Sequence, residues 1–243
     1  MADVILATQG LKRYFGGLRA VDGIDFSLRE GEIRAIIGPN GAGKTTFVSL
    51  LSGRTPVTDG TISFRGEDIT RMPAFRRVRR GIAYTFQITN IYQKLTVAEN
   101  VRIAALGRAQ RERGGKLDFE RETANALEAV GLGSRADERA GEMAYGHQRL
   151  LEVAMGLALQ PQLLILDEPT QGLSDSEIAD FCTLVKRISA TSTILLIEHN
   201  MDVVMTLADR ITVLDRGRIL AEGTPAEISA NGGVQAAYLG TAA

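Results

Sequence analysis

Gly38-Pro39-Asn40-Gly41-Ala42-Gly43-Lys44-Thr45-Thr46 matches the pattern G-x-x-x-x-G-K-[ST] in full, and its flanks give that pattern mechanical meaning. The preceding run, Ile33-Arg34-Ala35-Ile36-Ile37, is short, mostly apolar and rich in β-branched residues, which predicts a buried strand. After it, Phe47, Leu50 and Leu51 recur at helical spacing. A glycine-rich loop between a strand and a helix is a phosphate cradle. Gly38, Gly41 and Gly43 let backbone N–H groups turn inward, the helix start adds partial positive charge, and Lys44 adds a full one. The Thr45 hydroxyl is the expected Mg²⁺ ligand, and Asn40, Ala42 and Thr46 belong to the same binding loop.

At 243 residues and 44% hydrophobic composition, the chain is long enough for one large α/β domain or two small ones, with a substantial core. No apolar run approaches the roughly 18 residues needed to cross a bilayer, and Met1-Ala2-Asp3 lacks the basic start of a secretion signal, so a cytoplasmic location is expected. The single cysteine, Cys182, excludes an internal disulfide framework, and with two histidines leaves no zinc-type cluster. Any metal is therefore expected to be a hard cation carried with nucleotide. A net charge of −1 and the lack of tryptophan argue against nucleic acid as a partner.

Along the chain, residues 3–8, 24–28 and 61–64 read as strands of an antiparallel sheet, with Asp59-Gly60 as a turn before the last. Arg71, Arg76, Arg77, Arg79 and Arg80 form a basic cluster without interleaved aromatics beyond Phe75, which reads as a solvated helix face. Gly81 to Phe86 reads as a strand ending at Gln87. From Thr96 to Gly131 the pattern is helical, with Val97, Val101 and Ala104/Ala105 on one face and Ala124, Leu127 and Val130 on a later one. A charged bend over Arg108 to Glu122, broken by Gly114-Gly115, separates them. A further helix follows Ala144 and is closed by Pro161. Leu163 to Asp167-Glu168 and Thr193 to Glu198-His199 are apolar runs with polar C-terminal ends, the pattern of parallel strands buried on both faces. Chemistry gathers at such ends. Coming after a full phosphate loop, Asp167 is expected to face the metal and Glu168 the attacking water.

In this order, the landmarks resemble the nucleotide-binding subunits of ABC transporters from about Leu11 to Leu239. The resemblance implies a P-loop NTPase fold of the α/β class: a mixed central sheet, an N-terminal antiparallel β subdomain and an inserted helical subdomain. It implies one cassette over 1–243, with the nucleotide-binding core in 1–88 and 161–224, the helical subdomain in 89–160 and a helical tail in 225–243. It also implies that Phe15, or its neighbour Tyr14, stacks on adenine. Gln87 then senses Mg²⁺ and the attacking water, and His199 holds the γ-phosphate. Met143-Ala144-Tyr145-Gly146-His147 departs from the commonest signature, Leu-Ser-Gly-Gly-Gln, since Ala144 lacks the serine hydroxyl. Gly146 and the helix start remain as anion donors. Tyr145-Gly146, Arg80 to Gln87, Leu151-Glu152-Val153-Ala154, Glu198 to Met201 and Tyr238-Leu239-Gly240 look like one ATPase subunit of branched-chain amino acid importers. Ser174 stands where the family usually has Asp, and reads either as a reduced inter-site contact or as an ordinary helix cap.

The expectation is an ATPase using ATP and Mg²⁺ that pairs head to tail with itself or a sister subunit. It would sit on the inner face of the cell membrane, drive transmembrane permease subunits and serve a solute-binding protein indirectly, with no nucleic acid involved. Its rivals are a non-transport ABC ATPase acting on ribosomes or DNA and a nucleotide-gated interaction module.

Overall fold

The computed structural model describes residues 3–85, 90–109 and 118–239. In chain order these form β1 (Val4–Phe15), β2 (Leu18–Arg29), β3 (Ile33–Ile37), α1 (Lys44–Leu51), β4 (Asp59–Phe64), β5 (Glu67–Asp68), α2 (Ala74–Arg79), β6 (Ile82–Tyr84), α3 (Val97–Ala109), α4 (Phe119–Ala129), α5 (Tyr145–Ala158), β7 (Leu163–Asp167), α6 (Asp175–Ser189), β8 (Thr193–Ile197), α7 (Met201–Leu207), β9 (Arg210–Asp215), β10 (Arg218–Gly223), α8 (Pro225–Ser229) and α9 (Gly232–Leu239). They divide into two compact units, one holding the chain up to Arg77 and from Thr193 on, the other Val78–Ser192.

In the first unit, an antiparallel sheet runs in the order β2-β1-β4-β5. Its strands are half-buried, so they alternate: Ile24, Phe26 and Leu28 are buried while Asp25, Ser27 and Arg29 face out. The Phe26 ring packs edge to face with the Phe47 ring of α1, with centroids 5.4 Å apart. Strand β3 lies between β8 and β9, parallel to both, and β10 pairs antiparallel with β9. Every residue of β3 and β8 is buried, as expected of central parallel strands covered on both faces. Arg34 is tolerated in β3 because its guanidinium is satisfied by Glu32 (2.6 Å), Glu222 (2.8 Å) and the Thr212 hydroxyl (2.9 Å).

Two local expectations are corrected here. Asp59-Gly60 is the start of β4, not a turn before it. Asp59 pairs with Lys12 at 2.8 Å, and Gly60 (φ +88°) sits where a β-carbon would lie 2.4 Å from the Gly10 carbonyl oxygen, at an irregularity in the β1–β4 register. The arginine cluster is not uniformly solvated either, since Arg77 is 1% exposed. Its guanidinium makes five hydrogen bonds, to the carbonyls of Leu50, Leu51, Ile69, Thr70 and Met72. Two of these are last-turn carbonyls of α1, the negative end of the helix whose other end bears the phosphate loop. Burial lowers the Arg77 pKa to about 10, which still leaves it charged at neutral pH.

In the second unit, β6 and β7 pair in parallel, with Ile82 opposite Leu163 and Tyr84 opposite Ile165. Helices α3, α4 and α5 pack on one another. The buried stripe of α4 is Thr123, Ala126 and Leu127, whereas Ala124, expected on that face, is exposed. Helix α6, which periodicity did not pick out, buries Phe181, Cys182, Leu184, Val185 and Ile188. It begins at a capping box in which Ser174 and Glu177 exchange hydrogen bonds with each other's backbone N–H.

Candidate nucleotide site

The first unit holds the phosphate loop. The backbone dictates the glycines at its two ends. A β-carbon on Gly38 (φ +152°) would lie 2.1 Å from the Leu214 carbonyl oxygen, and one on Gly43 (φ +100°) 2.3 Å from that of Ala20. Helix α1 starts immediately after Gly43 with no side-chain cap hydrogen bond among the described residues, which leaves the first-turn amides as donors for a ligand. The Lys44 ammonium folds back over the loop, donating to the carbonyls of Gly38 (2.6 Å) and Pro39 (3.1 Å). Asn40, Gly41 and Thr45 are exposed, Thr46 is half-buried, and Ala42 is buried beneath them. An uncapped helix start, a glycine cradle too tight for a β-carbon and a lysine lying across it fit a polyphosphate.

His199 leaves the same edge. Ile36 of β3 pairs with Ile197 of β8 in parallel, so the phosphate loop and Glu198-His199 both follow the C-terminal ends of adjacent strands. The buried Glu198 carboxylate accepts the backbone N–H groups of His199 (3.1 Å) and Asn200 (3.2 Å), while the His199 ring is 66% exposed. Of the two aromatic candidates, Phe15 is 47% exposed with the Arg13 guanidinium 4.4 Å from its ring centre. Tyr14 instead donates its hydroxyl to Asp22. That bond, with the Arg218 guanidinium, holds the Asp22 carboxyl down to about 2.

The second unit holds the acids. Asp167, the last residue of β7, is fully buried, and one of its oxygens accepts the Tyr84 hydroxyl at 2.7 Å. Glu168 has already left the strand: its φ is +50°, the left-handed region that a side chain with a β-carbon enters at a cost. Its carbonyl accepts Arg149 Nη2 and the Gln171 N–H, each at 3.3 Å. In the signature segment, Met143 is buried, Ala144 is the N-cap of α5 with no side-chain hydrogen bond, and Tyr145 is 44% exposed. Gly146 is buried against Gly172 and Leu173. Ser174 acts as a helix cap, the second of its two expected readings. Gln87 lies outside the described residues. Tyr84 and Arg149 have no sequence signal for their place beside the acids, because Asp167 and Glu168 lie 83 and 19 residues away from them.

The model of the ABC transporter family matches residues 21–171, more than half of the chain. The chain belongs to the ABC transporter family. A second model, of branched-chain amino acid ATP-binding cassette transporters, matches residues 218–243 of the cassette. The cassette is 41% identical to the high-affinity branched-chain amino acid transport ATP-binding protein LivG of Salmonella typhimurium, covering 100% of both chains. It is 38% identical to the corresponding BraF protein of Pseudomonas aeruginosa, also covering 100% of both. Among solved structures, it resembles the ADP conformation of an ATP-binding cassette of an ABC transporter, with TM-score 0.87 and 29% identity over 98% of this chain and 99% of that one. The α/β P-loop cassette fold expected from the motifs is the fold observed, and like its family the cassette is a nucleotide-binding ATPase subunit. Among the described residues, no helix is long and apolar enough to cross a membrane.

Proposed function

We propose that this cassette hydrolyses ATP between two chains arranged head to tail and so drives import of branched-chain or related amino acids. The observation that carries the chemistry is the uncapped start of α1, bedded in glycines with no room for a β-carbon and covered by Lys44. Identity over the whole length to LivG and BraF supports the choice of cargo. Residues 1–88 and 161–224 form the nucleotide core, 89–160 the helical subdomain and 225–243 the tail. The working pair is two copies of this chain or this chain with a sister ATPase, on the inner membrane face, bound to permease subunits that a solute-binding protein feeds. Neither the net charge nor the aromatic content favours nucleic acid.

In this reading, Phe15 stacks on adenine while Lys44 and the amides of residues 38–46 bind the β- and γ-phosphates. Thr45 and Asp167, with Gln87, would hold Mg²⁺, whose charge would offset the negative charge on the phosphate oxygens. Glu168 accepts the proton of the attacking water, and His199 positions the γ-phosphate. The uncapped start of α5 at Ala144 to Gly146 offers backbone donors to the γ-phosphate held by the partner. Closure of the pair moves the helical subdomain and the loop at Gln87 against the permease, coupling binding to transport. Removing the metal tests this reading. Phosphate release per chain should rise with protein concentration, because the site needs two chains, and should vanish when EDTA removes Mg²⁺. Release that survives EDTA would contradict the metal assignment, and none at any protein concentration would favour a nucleotide-gated module.

A further inference from the structure

The first turn of α5 is packed against the chain that leaves β7. Arg149 is 2% exposed; its Nη2 donates to the Glu168 carbonyl and its Nη1 to the carboxylate of Glu152, each at 3.3 Å, and Glu152 is buried as well. One turn earlier, a β-carbon on Gly146 would lie 2.8 Å from Leu173 Cδ2 and 3.1 Å from the Gly172 carbonyl oxygen. One on Gly172 would lie 2.8 Å from Tyr145 Cδ1. Residues 145, 146 and 149 therefore present one helix face to Glu168, Gly172 and Leu173. The segment they meet is itself tied into turns: the Gln171 N–H donates to the Glu168 carbonyl at 3.3 Å and the Leu173 N–H to that of Thr170 at 3.1 Å. Glu168 holds a backbone conformation that costs free energy unless its surroundings enforce it. The buried guanidinium on its carbonyl is such an enforcing contact.

We infer that Arg149 is a positioning residue that ties the signature end of α5 to the backbone of Glu168, and that through it one chain couples the two ATP sites of an assembled pair. The inference rests on the reading of Glu168 as base and of Ala144 to Gly146 as facing the partner's nucleotide. In a head-to-tail pair, Glu168 then serves the ATP of its own chain and α5 the ATP of the other. A shift of Glu168 as its own site fills is passed to α5, because the Arg149 fork spans both and the helix start lies close against Gly172 and Leu173. Occupancy of one site is thereby reported to the other.

The test measures hydrogen exchange on the full purified chain, diluted until it is monomeric so that no partner's nucleotide touches α5, with and without a non-hydrolysable ATP analogue and Mg²⁺. It compares wild type with Arg149→Met and with the double variant Arg149→Met/Glu152→Leu. The double variant removes the buried pair together, so that no lone charge remains to unfold the chain. In wild type, the analogue is expected to slow exchange over Ala144–Leu151 by roughly tenfold or more. In the double variant, the analogue should bind within about twofold of the wild-type Kd, while the Ala144–Leu151 response disappears and kcat falls roughly 10²-fold, as for a misplaced base. A residue that only props up the fold would raise exchange equally with and without nucleotide, and that result, or an undiminished response in the double variant, overturns the inference. Failure of the wild-type chain to bind the analogue would instead bring down the nucleotide reading itself, and the inference with it.

Discussion

Glu168→Gln should give a chain that binds ATP as well as the parent but turns it over about 10²–10⁴-fold more slowly, the range for loss of a general base. The substitution is isosteric, and the contacts that hold residue 168 in place use its carbonyl, which accepts Arg149 Nη2 and the Gln171 N–H. The amide side chain therefore inherits the left-handed backbone and the position of the carboxylate, and loses only the capacity to take a proton from water. The change belongs in kcat. Steady-state phosphate release, read beside nucleotide affinity by fluorescence, separates the two, and a variant that hydrolyses at the parental rate would show that another group prepares the water. Because ATP binding without hydrolysis holds the pair closed, the variant should also accumulate as a nucleotide-bound pair.

Lys44→Ala should weaken ATP binding by about 10–100-fold, the cost of a charge-assisted hydrogen bond to phosphate. The ammonium donates to the Gly38 and Pro39 carbonyls of the loop it covers. It can exchange those neutral acceptors for phosphate oxygens without moving the helix that carries it. Alanine suits the first turn of α1, and the glycine cradle is shaped by the carbonyls of Leu214 and Ala20 instead of by the lysine, so the fold should persist. Titration with a fluorescent ATP analogue measures the effect, and unchanged affinity would contradict the assignment of the loop.

What could be read from the residues alone was whatever repeats locally or matches a pattern whose spacing is mechanical. The phosphate loop, the strands ending at Asp167 and Ile197 and the helix after Ala144 are of this kind. Arg77 is not distinguishable in the sequence from its exposed neighbours Arg76 and Arg79, because burial of one arginine among five is decided by carbonyls of Leu50, Leu51, Ile69 and Thr70 that meet only in three dimensions. Gly60 carried an ordinary turn signal, yet it is needed for a close approach of two strands. The two acids at the end of the β7 run are legible as adjacent residues leaving a strand, but the φ of +50° at Glu168, where the chain turns away, is not. The start of helix α6 is legible as a helix cap at Ser174, with Glu177 at capping-box spacing, whereas the body of the helix carries no periodicity as plain as that of α1 or α5. Tyr84 and Arg149 support the acids from positions that no local pattern reveals.

The most direct test of the central claim, that this ATPase drives a membrane transporter, uses tagged Glu168→Gln held closed by ATP to capture partners from native membranes, with identification by mass spectrometry. The expected recovery is two multi-spanning permease proteins together with a second ATPase chain. Recovery of ribosomes or nucleic acid, with no membrane protein, would contradict the account while leaving the nucleotide chemistry of Lys44 and Glu168 intact.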